Sequence, residues 1–132
     1  MVGQIDRPGI LALVGVHRDD TAADAAKLAR RIATLKMLSG EKSVLEEAAP
    51  VLVVSQFTLQ ARTRKGAKPS WSDAAPREVA EPLVDALVQE LRAAGVEVAT
   101  GVFGAMMEVS LVNSGPFTLI VDTAQTRSGA NR

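Results

Sequence analysis

Short apolar runs alternate with longer segments of mixed polarity along most of the chain. Residues 10–16 are continuously apolar, as expected of a strand covered on both faces, and residues 51–54 repeat the pattern. Between these runs the apolar residues recur at spacings of three and four, which predicts a helix through Ala25, Leu28, Ile32 and Leu35. A second helix is predicted at about residues 76–94, where Pro82 indicates a kink or a later start.

Three further strands are predicted towards the C-terminus. A short one covers residues 96–98, and two β-branched, apolar runs follow at 106–112 and 119–121. The connection between the last two contains Gly115-Pro116, a pair typical of a chain reversal, and a tight hairpin turn is the simplest interpretation of it. Because the strands look hairpin-like and do not alternate strictly with helices, the pattern favours an α+β fold.

Length and composition indicate a single domain. The chain has 132 residues, 47% of them hydrophobic, and with three Phe and one Trp its core must consist of Val, Leu, Ile and Ala. We expect the domain to span residues 1–122 and the polar residues 123–132 to form a disordered tail. The 15 basic and 15 acidic residues argue against binding nucleic acid through bulk charge. Residues 61–72 nevertheless hold four basic residues, no acidic one and the single tryptophan.

Missing residue types exclude several chemistries. Without cysteine there is no thiol nucleophile, disulfide or thiolate metal site, and one histidine cannot make a multi-histidine site, so we expect no metal or cofactor. His17 follows a predicted strand, where a surface or cap residue is more typical than a general base, so no conventional triad is supported. Nothing at the N-terminus is typical of a signal peptide and no run is long enough to cross a membrane, so we expect a cytoplasmic protein.

Two polar motifs at strand ends carry a family resemblance. The first is Ser55-Gln56-Phe57-Thr58-Leu59, and the second is Asn113-Ser114-Gly115-Pro116-Phe117-Thr118. In this order they resemble the signatures of the D-aminoacyl-tRNA deacylase family, and the resemblance extends over about residues 2–121. It implies a homodimer whose subunits have a mostly antiparallel sheet or partial barrel and two main helices. It also implies a hydrolase of translation quality control, which cleaves the ester of D-amino acids, and of glycine, on mischarged tRNA.

The resemblance also implies roles for individual residues. The active site would be lined, partly by main-chain atoms, by Ser55, Gln56, Phe57 and Thr58, with the neighbouring ribose 2′-hydroxyl assisting the attack. A cis Gly115-Pro116 pair, supported by Asn113 and Thr118, would reject L-amino acids from within the partner subunit's site. The terminal adenine would contact Phe103 and Met107, and tRNA phosphates would contact Arg62, Arg64, Lys65 and Lys68. Each role has a structural alternative. Residues 55–58 would be ordinary capping residues at a strand end, Phe103 and Met107 would pack in the core, and the four cations would belong to a solvated loop.

The chain departs from the family pattern at two places. We expect residues 1–5 to align with the second strand of the family, which would leave its usual first strand out of this sequence, and Phe117 stands where valine is common. Two alternative functions follow. One is a catalytically impaired tRNA-binding module, and the other is a related deacylase of the same fold with relaxed chirality and a trans Gly-Pro pair. The Ser55-Gln56 pair argues against the second alternative.

Overall fold

The computed structural model describes residues 3–126, which build an open sheet of three parallel strands. Strand β1 spans Ile10–Val14, β2 spans Val51–Ser55 and β3 spans Val98–Thr100, and they lie in the order β1-β2-β3. In register, Ile10 pairs with Val51, and Val51 pairs with Val98 on its other side. The expectation of a mostly antiparallel sheet or partial barrel is therefore wrong.

The connections explain the parallel arrangement. Helix α1, Ala22–Thr34, and the single turn α2, Val44–Glu47, connect β1 to β2, and helix α3, Arg77–Ala93, connects β2 to β3. Parallel neighbours require such crossover connections. Because crossovers are right-handed and both steps run in the same direction across the sheet, α1 and α3 cover the same face, where they pack against each other. The two main helices predicted from the sequence are thus present, and α3 continues through Pro82.

The two predicted C-terminal strands are the source of the error. Residues 106–112 and 119–121 pair with no strand within residues 3–126, although their composition is typical of strands. Met106, Val112 and Ile120 are almost fully exposed, at 102%, 94% and 95%. A strand forms only when a neighbour takes up its N–H and C=O groups, and composition does not provide that neighbour.

The core lies between the sheet and the two long helices. Its most deeply buried side chains are contributed by every layer: Leu87 and Leu91 of α3, Val44 of α2, and Val51 and Val53 of β2. The core is aliphatic, as the composition predicts.

Both ends of the described chain contact the rest of the domain. Arg7 donates hydrogen bonds to the carbonyl of Ala48 at 3.1 Å and to the carboxylate of Glu97 at 3.2 and 3.3 Å. At the other end Thr123–Thr126 forms a 3₁₀ turn in which Thr123 is buried. The rest of the predicted tail, residues 127–132, lies outside the described residues. Within residues 3–126 no helix is long and apolar enough to span a membrane.

Candidate functional site

The first motif begins at the carboxyl end of the central strand. Ser55 is the last residue of β2, and the N–H of Gln56 extends the pairing by donating to the carbonyl of Val14 at 2.7 Å. A 3₁₀ turn, Phe57–Gln60, follows directly, and Gln56 Nε2 donates to the hydroxyl of Thr58 at 2.6 Å. We call residues 55–58 the candidate catalytic segment.

Two backbone donors at the start of this turn have no acceptor among residues 3–126. The N–H groups of Phe57 and Thr58 take part in none of the hydrogen bonds formed within residues 3–126. The first N–H groups of a helical turn have no partner inside the turn. They project outward at its N-terminal end, where a ligand can accept them. Adjacent free N–H groups of this kind are the donors that an oxyanion requires.

A glycine fixes the position of the turn against the sheet. Gly15 follows β1, and a Cβ placed on it would lie 2.9 Å from the Cβ of Leu59 and 3.0 Å from the carbonyl oxygen of Gln56. Both distances are shorter than ordinary contacts between heavy atoms. The 3₁₀ turn can approach the end of β1 this closely only because residue 15 has no side chain.

A cleft of about 250 Å³ opens beside Ser55. It lies between the ends of β2 and β3 and the polar face of α3, and Gly101 and Phe103 form part of its wall. The thioether of Met107 packs beside Gly101, with its Cε 3.0 Å from the position that a Cβ would occupy there. The structure therefore places Ser55 and Phe103 in the lining of one cleft and Met107 beside Gly101 of its wall, but Gln56, Phe57 and Thr58 do not line the cleft.

The predicted phosphate contacts separate into two groups. Arg62 exchanges backbone hydrogen bonds of 2.9 and 2.8 Å with Ser70, which closes the intervening loop, and its guanidinium binds Asp73 at 2.6 and 2.7 Å. The hydrogen bond from Arg62 holds the pKa of the Asp73 carboxyl below its ordinary value. Within residues 3–126 the remaining cations of the loop are exposed and make no ion pair: Arg64, Lys65 and Lys68.

Asp73 also joins the loop to the turn after β1. Its backbone carbonyl accepts the N–H of Arg18 at 2.9 Å, and its carboxylate lies 3.8 Å from Nε2 of His17. The other ring nitrogen, Nδ1 of His17, accepts the N–H of Asp19 at 3.1 Å. The histidine therefore contacts two loops. Nothing in the spacing of the sequence indicates the pair between Arg62 and Asp73.

The second motif forms a small turn of its own, which we call the selector turn, residues 113–118. Asn113 Nδ2 donates to the hydroxyl of Thr118 at 2.9 Å, and the N–H of Thr118 donates to the carbonyl of Pro116 at 2.9 Å. The Gly115–Pro116 peptide bond is cis. A Cβ placed on Gly115 would have nothing described within 4 Å, and within residues 3–126 no hydrogen bond joins the turn to the candidate catalytic segment.

Comparison with known proteins places these motifs in a family. Residues 1–122 match the family model described as D-Tyr-tRNA(Tyr) deacylase. A D-aminoacyl-tRNA deacylase of Thermobifida fusca is 59% identical over 122 residues, which are 92% of this chain and 86% of the relative. The chain belongs to the D-Tyr-tRNA(Tyr) deacylase family. A second member with the same name, from Beutenbergia cavernae, is 58% identical over 122 residues, again 92% and 86% of the two chains.

Two solved structures share the fold of this chain. A protein described as a c-Myc DNA unwinding element binding protein has a TM-score of 0.74 and 34% identity, over 83% of this chain and 78% of its own. A probable eukaryotic D-amino acid tRNA deacylase has a TM-score of 0.68 over 81% and 80% of the two chains, and at 17% identity it shows the fold alone. The family predicted from the two motifs is confirmed by the family model and by the two relatives.

Proposed function

We propose that this chain is a D-aminoacyl-tRNA deacylase, a hydrolase that cleaves the ester between a D-amino acid and the terminal ribose of tRNA. The family match over residues 1–122 carries the proposal, because relatives nearly 60% identical to this chain have that name. Such an enzyme acts where aminoacyl-tRNA is made and used, which for a bacterial-type relative is the cytoplasm.

The proposed mechanism uses positioned main-chain groups. The free N–H groups of Phe57 and Thr58 would stabilise the negative charge that develops on the ester carbonyl oxygen. The ribose 2′-hydroxyl next to the ester would assist the attack, so that the protein contributes chiefly orientation. No side chain of the candidate catalytic segment has a histidine or carboxylate among its hydrogen-bond partners within residues 3–126, which supports a mechanism without a side-chain base.

Binding of the tRNA end would use the cleft and the loop beside it. The adenine would lie against Phe103 and Met107 where the cleft wall passes Ser55, and the phosphates would meet Arg64, Lys65 and Lys68. Arg62 differs from these three because its guanidinium is already bound by Asp73. We assign it to holding the loop, so that it is no longer a candidate for direct phosphate binding.

The selector turn would act from a second subunit. Within residues 3–126 it is exposed and makes no hydrogen bond to the candidate catalytic segment, and it is flanked by exposed apolar residues that a partner would cover. Gly115 and Pro116 would then press against the α-carbon of the substrate, leaving room for a D side chain or for glycine.

The cysteine-free chain allows a direct test of this arrangement. We expect the double variant Thr58→Cys with Ser114→Cys to form a disulfide between two chains on mild oxidation, seen as a covalent dimer on a non-reducing gel. Leu45→Cys with Ser114→Cys is the matched control, since Leu45 is exposed on α2. An intrachain disulfide, or no disulfide, would contradict a selector that acts across subunits.

Activity is tested by measuring amino-acid release from D-tyrosyl-, L-tyrosyl- and glycyl-tRNA. The proposal requires cleavage of the D-ester, some cleavage of the glycyl ester and sparing of the L-ester. A tRNA ending in 2′-deoxyadenosine should resist cleavage if the hydroxyl assists. Binding of tRNA without cleavage would instead favour a binding module, and equal cleavage of both tyrosyl esters would favour relaxed chirality.

A further inference from the structure

An exposed pair of aromatic rings borders the candidate catalytic segment. Phe57, the first residue of the 3₁₀ turn, meets Trp71 edge to face, with ring centroids 5.1 Å apart and planes inclined by 63°. Such pairs normally bury most of their surface, but here Phe57 is 59% exposed and Trp71 43% exposed. A pair of large rings that leaves this much surface in water indicates a binding surface.

The structure holds this pair in place from both sides. Trp71 directly follows Ser70, whose backbone is paired with Arg62, and the carbonyl of Trp71 accepts the N–H of Ala74 at 3.0 Å. Phe57 is held by the turn that packs on Gly15. The backbones that carry the two rings are therefore held in place on two separate segments, so little backbone entropy remains to be lost when a ligand covers the rings.

The charge around the rings indicates the chemistry of the ligand. The loop between the two rings presents three cations without an ion-pair partner in the described chain, Arg64, Lys65 and Lys68, and residues 61–72 contain no acid. Proteins bind single-stranded nucleic acid by combining cations, which contact its phosphate backbone, with exposed aromatic rings, which stack on its bases. The core of a protein–protein interface is, by contrast, depleted in lysine.

We propose that Phe57 and Trp71 stack the base of the unpaired nucleotide that precedes the aminoacylated adenosine at the 3′ end of tRNA. This rests on the proposed function, which places the terminal adenine in the cleft beside Ser55 and the ester at the candidate catalytic segment, of which Phe57 is itself a member. The phosphates of the same single strand then run past Lys65 and its neighbours. Stacking uses the face of the base, so the surface tolerates any base but requires that it be unpaired.

The single tryptophan reports on this contact without a label. The full chain is titrated with the ribotrinucleotide CCA and with the same trinucleotide carrying an abasic ribose at its middle position. We expect CCA to quench Trp71 fluorescence and the abasic analogue to bind about 5- to 150-fold more weakly, the loss that corresponds to one stacked base.

Variants extend the test to the substrate. We expect Trp71→Ala to raise KM for D-tyrosyl-tRNA within the same range and Trp71→Phe to restore most of the affinity, because a phenyl ring still stacks. Leu45→Ala is the matched control: Leu45 is 44% exposed and lies on α2, away from the loop, so its KM should stay at the original value.

Three outcomes would overturn the inference. Equal binding of CCA and its abasic analogue would exclude stacking. An unchanged KM for Trp71→Ala, in a chain that still deacylates D-tyrosyl-tRNA, would exclude it as well. In both cases the proposed function would stand. A Trp71 emission that depends on protein concentration and not on CCA would show that a second copy of the chain covers the rings. If the chain neither cleaves D-tyrosyl-tRNA nor binds CCA, the proposed function and this inference fail together.

Discussion

Replacing Gly15 by alanine should displace the candidate catalytic segment while leaving the chain folded. The added Cβ would meet the Cβ of Leu59 at 2.9 Å and the carbonyl oxygen of Gln56 at 3.0 Å. Ordinary contacts between heavy atoms lie at about 3.5–4.0 Å, so one side must move by roughly 0.5–1 Å. Since neither contact is the flexible end of a side chain, the backbone of the 3₁₀ turn itself has to move.

The stability and activity losses can be estimated separately. Overpacking costs about 1–3 kcal/mol, and the reduced freedom of alanine in the unfolded chain offsets about 0.4–1 kcal/mol of it. The expected net loss is roughly 1–2 kcal/mol, which leaves a domain of ordinary stability almost entirely folded. A displacement of about 1 Å at reacting groups lowers kcat by about 100-fold. The loss of activity should therefore far exceed anything that unfolding explains.

The assay pairs urea unfolding with kcat on D-tyrosyl-tRNA, and Val44→Ala serves as the control. Val44 is 1% exposed in α2, so removing its two methyl groups costs about 1.6 kcal/mol plus a cavity term without touching the 3₁₀ turn. We expect Val44→Ala to lose comparable stability and keep its kcat. If Gly15→Ala also keeps its kcat, the position of residues 55–58 does not control the reaction and the assignment of this segment is wrong.

Three smaller perturbations test other parts of the structure. Asp73→Asn should raise KM for tRNA severalfold with little change in kcat, since it releases Arg62 and loosens the basic loop; unchanged KM would contradict the loop's role. The pKa of Asp73 in the folded chain lies below its ordinary 3.8, so the stability that its carboxylate contributes is complete above pH 3.8 and is lost as the pH falls through the folded pKa. The stabilities of the original chain and of Asp73→Asn, measured by urea unfolding, should therefore converge in acid. Ser43→Ala removes the side-chain cap of α2 and should cost about 1 kcal/mol in the same measurement without affecting kcat. Asn113→Ala breaks the bond to Thr118 and should increase cleavage of L-tyrosyl-tRNA relative to D-tyrosyl-tRNA, whereas an unchanged ratio would show that this bond does not position the selector turn.

Local patterns predicted the helices and the central strand well. The spacing of apolar residues marks α1 and α3, and the apolar run before Ser55 marks β2, because both signals depend on burial against one face. Residues 43–49 are irregular by their sequence pattern, and this prediction missed the turn α2, since at four residues it is too short for any periodicity to appear. What identifies it is the cap formed by Ser43, which accepts the N–H of Glu46 at 3.1 Å.

Pairing between distant segments could not be predicted in the same way. Residues 106–112 have the composition of a strand, but whether a strand forms depends on a neighbour that local composition does not specify. The ion pair of Arg62 with Asp73 and the ring contact of Phe57 with Trp71 likewise join positions separated by 11 and 14 residues through a loop closure that no local signal marks. The two motifs therefore identified the family, while the structure shows that Arg62 is bound to Asp73 and that Arg64, Lys65 and Lys68 make no ion pair within residues 3–126.

The central claim is that this chain removes D-amino acids from tRNA and spares L-amino acids. The most direct measurement compares the initial rates at which the 132-residue chain releases tyrosine from D-tyrosyl-tRNA and from L-tyrosyl-tRNA at equal concentrations. The account predicts rapid release from the D-ester and release at the uncatalysed rate from the L-ester. Equal rates for the two esters, or no release above the uncatalysed rate from either, would contradict it.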